Sequence, residues 1–213
     1  MGATSASDRP LRDIVVLGGS AGCLTHVQEI VRLLPRDIPA ALFLVVHVAA
    51  SGNSRLAAIL AGQGTIAVGT AAEGDEILPG RLLVAPPGRH LLLDVDGVHL
   101  TQGPRERSAR PSVDVLFRSA AQAFGARVAG VILSGYLDDG AAGLEAIVRA
   151  GGVGIVQQPG EAAVPNMPQN AIARAQPHLV EPAAGIARWL VLLARGIRPE
   201  LSSAGLTGPS APP

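Results

Sequence analysis

The sequence predicts an α/β fold: a mainly parallel sheet with helices on both faces, a Rossmann-like three-layer arrangement that also carries one antiparallel hairpin. Three observations lead there. Short apolar runs alternate along the chain with stretches of helical periodicity, the pattern of strands joined by crossover helices. Hydrophobic residues make up 48% of the chain but aromatics only 2%, so the core must be built from Ala, Val, Leu and Ile, a composition suited to parallel sheets covered by helices. Asp96-Gly97 between two apolar runs is a strong hairpin signal.

The elements follow in order. Ile14–Leu17 reads as a short buried strand, and Leu24, Val27, Ile30, Val31 and Leu34 then recur at helical spacing. Ala41–Val46 is a second strand, followed by a helix carrying Leu56, Ile59 and Leu60. Ile66–Val68 and Leu82–Ala85 are short strands, and Leu91–Val95 and Val98–Thr101 form the hairpin. Ser112 stands as N-cap of a helix with Val113, Leu116, Phe117, Ala120, Ala121 and Phe124 on one face. Val128–Leu133 is a buried strand. Leu144, Ile147 and Val148 mark the next helix, ended by Gly151-Gly152, and Val153–Val156 is another strand. Pro168 is expected at the first position of a short helix, and a last helix runs from about Ala183 to Ala194.

The 213 residues suggest one domain, residues 12–195, between a flexible arm at 1–11 and a disordered tail rich in Pro, Gly and Ser at 196–213. No internal repeat is evident. Seventeen basic and seventeen acidic residues cancel, and no basic stripe appears, which argues against nucleic acid as a partner. The longest apolar runs, such as Ala40–Val46 and Trp189–Ala194, are too short to span a bilayer. Cys23 is the single cysteine, so an intramolecular disulfide and a thiolate zinc cluster are excluded. No cofactor motif and no metal-ligand set is found. Residues 1–13 have no apolar signal region, and a cytoplasmic protein is expected. Oligomeric state is left open.

In this fold class ligands sit outside the carboxyl ends of the parallel strands, so polar residues just past strand ends carry the functional question. Gly18-Gly19-Ser20-Ala21-Gly22 matches G-x-S-x-G between a strand and a helix, the setting of a nucleophilic serine on a sharp turn. Backbone N–H groups at the helix start can stabilise an oxyanion. A dinucleotide loop is the rival reading, but Ser20 and Cys23 occupy the second and third glycine positions, and Asp37 lies before the second strand rather than at its end. No Lys follows the glycines, which removes a Walker-type loop. A tight turn of small residues without chemistry is the third possibility.

A serine nucleophile needs a base. His47 ends the run Leu42–Val46, at a strand end beside the first one, where an unpaired histidine would be costly. His26, His90, His99 and His178 lie on the first helix, at a strand start, in the hairpin and before a late strand, and read as structural or surface residues. The base needs an acid to hold its tautomer. Asp138 and Asp139 both follow a buried strand and precede Gly140, where an N-capping carboxylate is also common, and pattern alone does not separate them. The chain order Ser, His, Asp differs from the Ser, Asp, His order of α/β-hydrolases.

These residues carry a resemblance. Val15–Gly22, Val45–His47, Leu82–His90, Arg110–Phe117, Val131–Gly143 and Asn166–Pro168, taken in order, resemble the catalytic domain of CheB-type protein-glutamate methylesterases, over about residues 12–195. The resemblance implies Ser20 as nucleophile, His47 as base and Asp139, rather than Asp138, as the orienting acid. It implies an oxyanion and substrate loop at Ala21 and Tyr136, and no cofactor. The implied substrates are methyl esters of glutamate on the cytoplasmic helices of chemoreceptors, with glutamine deamidation in some members. The family's Ser-Thr-Gly-Gly is Ser20-Ala21-Gly22-Cys23 here, its Gly-Met-Gly is Gly135-Tyr136-Leu137, its His-Met-Pro is His47-Val48-Ala49, and its Gly-Met-Pro is Asn166-Met167-Pro168. The changes at Cys23 and Tyr136 leave an alternative: a catalytically weak module that docks on a chemosensory partner. With about ten residues before the first strand, a stand-alone domain without the receiver domain of many relatives is expected, and hence no phosphorylation gating within the chain.

Overall fold

The computed structural model describes residues 11–47 and 55–197. Most of the expected arm and tail therefore lie outside the described residues, as do Val48 and Ala49. Nine strands and six α-helices follow in chain order among them: β1 Ile14–Gly19, α1 Leu24–Leu33, β2 Ala41–Val46, α2 Leu56–Ala61, β3 Ala67–Thr70, β4 Arg81–Val84, β5 His90–Asp94, β6 Gly97–Thr101, α3 Val113–Phe124, β7 Val128–Ile132, α4 Ala141–Arg149, β8 Val153–Gln157, α5 Asn166–Ala175, β9 Leu179–Glu181 and α6 Ala183–Ala194.

Seven strands form one sheet in the order β3-β4-β2-β1-β7-β8-β9, and every neighbouring pair is parallel. β5 and β6 form the separate antiparallel hairpin, with Asp94 opposite Gly97. The strands read as unbroken apolar runs because both faces are covered. Val15, Leu17, Leu42 and Leu44 point into one core with residues of α1, α2 and α6. Ile14, Val16, Phe43 and Val45 point into the other with α3, α4, α5 and the hairpin.

After β1 the chain builds outward through β2 to the β3 edge, then returns to lay β7 on the other side of β1. The strand order therefore reverses beside β1. Crevices at such switch points, outside the carboxyl ends of the strands, are where ligands bind in this architecture.

Two local expectations are corrected. Ser112 holds the N-cap position of α3 but makes no capping hydrogen bond with its own side chain. Its hydroxyl is taken by Asp139, whose carboxylate caps the helix instead. Pro168 is the third residue of α5 rather than the first, within the turn whose N–H groups lack intrahelical partners.

Candidate active site

Ser20 directly follows β1, His47 directly follows β2, and Asp139 lies in the loop between β7 and α4. Because β2, β1 and β7 are adjacent and parallel, their carboxyl ends bring these three positions to one edge of the sheet. The strand ends are tied by the ladder itself: His47 N–H donates to Gly19 O at 3.2 Å, and Leu133 N–H donates to Gly18 O at 2.8 Å.

Asp139 is 3% exposed and accepts four hydrogen bonds. Oδ1 takes the Ser112 hydroxyl at 2.9 Å and Asp114 N–H at 3.0 Å; Oδ2 takes Val113 N–H at 2.8 Å and His47 Nε2 at 2.7 Å. Four donors fill the lone-pair sites of an ionised carboxylate. Burial opposes its charge, but the His47 hydrogen bond and the two N–H groups outweigh that, and the carboxyl titrates below its ordinary range. An ionised carboxylate only accepts, so the bonded His47 nitrogen must be the protonated one. Nδ1 of the neutral ring is then left with the lone pair.

The carboxylate exchange is reciprocal. Asp139 caps α3, while Asp114 of α3, 1% exposed, accepts Gly140 N–H at 3.0 Å and Gly143 N–H at 2.6 Å at the start of α4. Two helix N-termini, each positive, are thus each met by a carboxylate from the other element. Burial pushes Asp114 up, against the pull of Gly143 N–H and with the charge of Asp139 adding to the rise. Arg107 Nε answers that charge at 3.1 Å and its guanidinium also pairs with Asp138, which is partly exposed.

The Ser20 turn rests on a second buried polar residue, Ser134. Its carbonyl accepts Ser20 N–H at 2.9 Å, and its hydroxyl donates to Ala21 O at 2.8 Å while accepting Val164 N–H at 2.9 Å. Gly22 closes the turn with φ +75°, a conformation favouring glycine. Gly135 is required for a different reason. A Cβ there would lie 2.7 Å from Ser20 Cβ and 2.1 Å from Met167 Sδ. Gly135 N–H is spent on Val164 O, whereas the Ala21 and Tyr136 N–H groups make no hydrogen bond among the described residues.

A cavity of about 350 Å³ opens over these residues, lined by Ser20, His47 and Asp139, by Tyr136 and Leu137, and by Arg105 and residues 107–111. Buried His90 holds the 102–112 loop in place: Nε2 donates to Pro104 O at 2.9 Å and Nδ1 accepts Ser112 N–H at 3.2 Å. The Ser20 hydroxyl itself makes no hydrogen bond among the described residues, so the His47–Asp139 link is closed and the Ser20–His47 link is open. Catalytic hydrogen bonds are often this loose before substrate arrives.

Of the residues singled out in the sequence, Ser20, His47, Asp139 and Tyr136 line one cavity, and Ala21 adjoins it through the turn. Cys23 is 1% exposed and packs beside Gly19 into the core under α1, so its thiol does not line the cavity, and burial raises its pKa to about 12. Asp138 points to Arg107 rather than to His47. Sequence reasoning missed Asp114, Ser134, His90 as the loop's anchor, and the arginines of the 102–111 loop. Asp114 had a signal, a carboxylate beside the apolar stripe of a helix, but its backbone partners Gly140 and Gly143 lie 26 and 29 residues away.

Comparison with known proteins agrees with this architecture. The model of the CheB methylesterase family matches residues 15–190. A protein-glutamate methylesterase/protein-glutamine glutaminase of Xanthomonas campestris pv. campestris is 41% identical over 182 residues, covering 84% of this chain and 51% of that protein. One of Anaeromyxobacter dehalogenans is 40% identical over 186 residues, covering 85% and 51%. The chain thus spans about half the length of the curated relatives it matches. The crystal structure of the Thermotoga maritima CheB methylesterase catalytic domain superposes with a TM-score of 0.82 at 29% identity, covering 85% of this chain and 98% of that one. A parallel sheet with its switch point beside β1, a serine turn, and a histidine held by a buried aspartate thus coincide with matches spanning most of the described residues, and the chain belongs to the CheB methylesterase family.

Proposed function

We propose that the chain is a serine hydrolase that removes methyl esters from glutamate side chains on the cytoplasmic helices of chemoreceptors, and that the same route deamidates receptor glutamines. One observation carries the reading: a buried carboxylate, Asp139, holds His47 through Nε2 at the strand end next to Ser20, on the wall of an open cavity. The names of the relatives support the substrate class. The site of action is the cytoplasm, as part of chemosensory signalling. No described helix is long and apolar enough to cross a membrane.

His47 Nδ1 takes the proton of Ser20 as Oγ attacks the ester carbonyl carbon. Ala21 and Tyr136 N–H, both without a partner among the described residues, are the donors for the oxyanion. Asp139 keeps the imidazole in its tautomer and stabilises the cation it becomes. Collapse breaks the C–OCH₃ bond, the imidazolium returns the proton, and methanol leaves. Water then attacks the acyl-enzyme with His47 again as base, restoring Ser20 and releasing the glutamate carboxylate. With a glutamine the leaving group is ammonia.

The test is methanol release from methylated receptor. The chain should produce it and Ser20→Ala should not, with the circular dichroism of the variant unchanged. Full activity in Ser20→Ala would sink the assignment. The open Ser20–His47 link favours one second reading, a docking module of low activity. Such a module would bind methylated receptor and release no methanol.

A further inference from the structure

The cavity has a charge that ester hydrolysis alone does not require. Three arginines of one loop, Arg105, Arg107 and Arg110, line it, and among its lining residues Asp139 is the sole carboxylate. Arg107 is answered by Asp114 and Asp138. Asp139 is spent on His47 and three donors around the start of α3. Arg110 reaches the carbonyls of Gln102 and Gly103, both at 2.8 Å, and its buried Nε has no hydrogen-bond partner among the described residues. Arg105 is exposed and donates to Ser108 O at 3.2 Å. Among the described residues neither Arg105 nor Arg110 has a carboxylate partner. A chain whose charges balance overall therefore carries two uncompensated guanidinium groups beside Ser20.

The scissile ester is neutral, and the oxyanion formed from it is assigned to the Ala21 and Tyr136 N–H groups, so these charges are left to act on something next to it. The geometry points to a carboxylate subsite, centred on Arg105 and backed by Arg110, that reads an acidic side chain of the substrate helix one turn from the glutamyl ester. On a helix, residues three or four apart share a face, so a carboxylate at that spacing reaches the rim when the ester enters the cavity. Arg107, pinned by two carboxylates, holds the loop and is not the reader. Arg110 is braced by the loop's own carbonyls and sets the local potential. Arg105, with one weak internal bond, is free to turn to the ligand.

The inference rests on the methylesterase reading and is tested separately from it. Two synthetic helical peptides would carry one glutamyl methyl ester, flanked one turn away by Glu or by Gln. Binding is measured with the full-length Ser20→Ala chain, so that no turnover intervenes, and methanol release with the unmodified chain. The subsite predicts tighter binding of the Glu-flanked peptide by up to about five-fold at low salt, the scale of one exposed ion pair, fading as salt screens it. Adding Arg105→Gln should bring the ratio of the two Kd values to about one, and Arg105→Lys should keep it above one. Equal binding of both peptides, or a loss in Arg105→Gln shared equally between them, overturns the subsite. Absence of methanol from either peptide overturns the methylesterase reading, while the ratio of Kd values still judges the subsite.

Discussion

Replacing Asp139 by Asn keeps shape and volume but removes the charge and half of the acceptor capacity. Oδ2 serves Val113 N–H and His47, and Oδ1 serves Asp114 N–H and the Ser112 hydroxyl. Whichever way the amide is turned, its NH₂ faces one of the two backbone N–H groups of α3. That buried donor is left unsatisfied at a cost of about 1–3 kcal/mol. Loss of negative charge at the helix N-terminus adds about 0.3–1 kcal/mol. The variant should be destabilised by about 1–4 kcal/mol, equivalent to a fall in Tm of roughly 3–16 °C for a domain of this size. Turned with its NH₂ to His47, the amide donates to Nε2, moves the ring proton to Nδ1 and deprives Ser20 of its base. By analogy with other triads the rate should then fall about 10⁴-fold. Urea unfolding and methanol release read the two effects. Asp138→Asn is the control: its exposed pair with Arg107 predicts a change below about 1 kcal/mol. If the two variants lost equal stability, or if Asp139→Asn unfolded like the parent chain, the account of Asp139 as joint cap and tautomer anchor would be wrong.

Three further predictions follow. Because the Asp139 carboxyl is held below its ordinary value, its contribution is present above about pH 4 and is lost as pH falls through the folded-state value; unfolding free energy should decline there, with a shallower acid slope in Asp139→Asn. A parallel decline in parent and variant would refute this. Gly135→Ala places a methyl group within 2.7 Å of Ser20 Cβ and 2.1 Å of Met167 Sδ, so it should cost about 1–3 kcal/mol and depress methanol release, whereas unchanged stability would mean that the turn yields freely. Cys23, buried with its pKa raised to about 12, should resist Ellman's reagent at pH 8 in the folded chain and react once unfolded in guanidinium; rapid labelling of the folded chain would place the thiol elsewhere.

Much of the fold was legible because its signals are local. Ala41–Val46 and Ala183–Ala194 coincide with the observed elements, and the expected hairpin forms, although its turn is Val95-Asp96 and Gly97 already opens β6 opposite Asp94. The prominence of Ser20, His47 and the pair Asp138–Asp139 was legible too, since residues just past strand ends are brought together by the rules of parallel sheets, whereas the choice of Asp139 over Asp138 came from the family resemblance. Long-range polar exchange was not legible. Ser112 reads as a cap because capping is ordinarily local, yet the cap comes from Asp139, 27 residues on. Asp114 reads as a polar residue in the first turn of a helix, and nothing nearby in sequence announces Gly140 and Gly143 as its partners. The 102–111 loop has neither helical nor strand periodicity, so its place over the cavity is set by His90, through bonds to Pro104 and Ser112. Cys23 looks adjacent to Ser20 in the chain, but the turn at Gly22 sends its side chain into the core instead.

The central claim is that Ser20 is a nucleophile whose base is His47, oriented by Asp139. Its most direct measurement is covalent trapping with a fluorophosphonate, read by mass spectrometry of the intact chain and mapped to a peptide. The account predicts one adduct, on Ser20, absent in Ser20→Ala and formed far more slowly in His47→Ala. An adduct on another residue, or labelling of Ser20 at the same rate without His47, would contradict it.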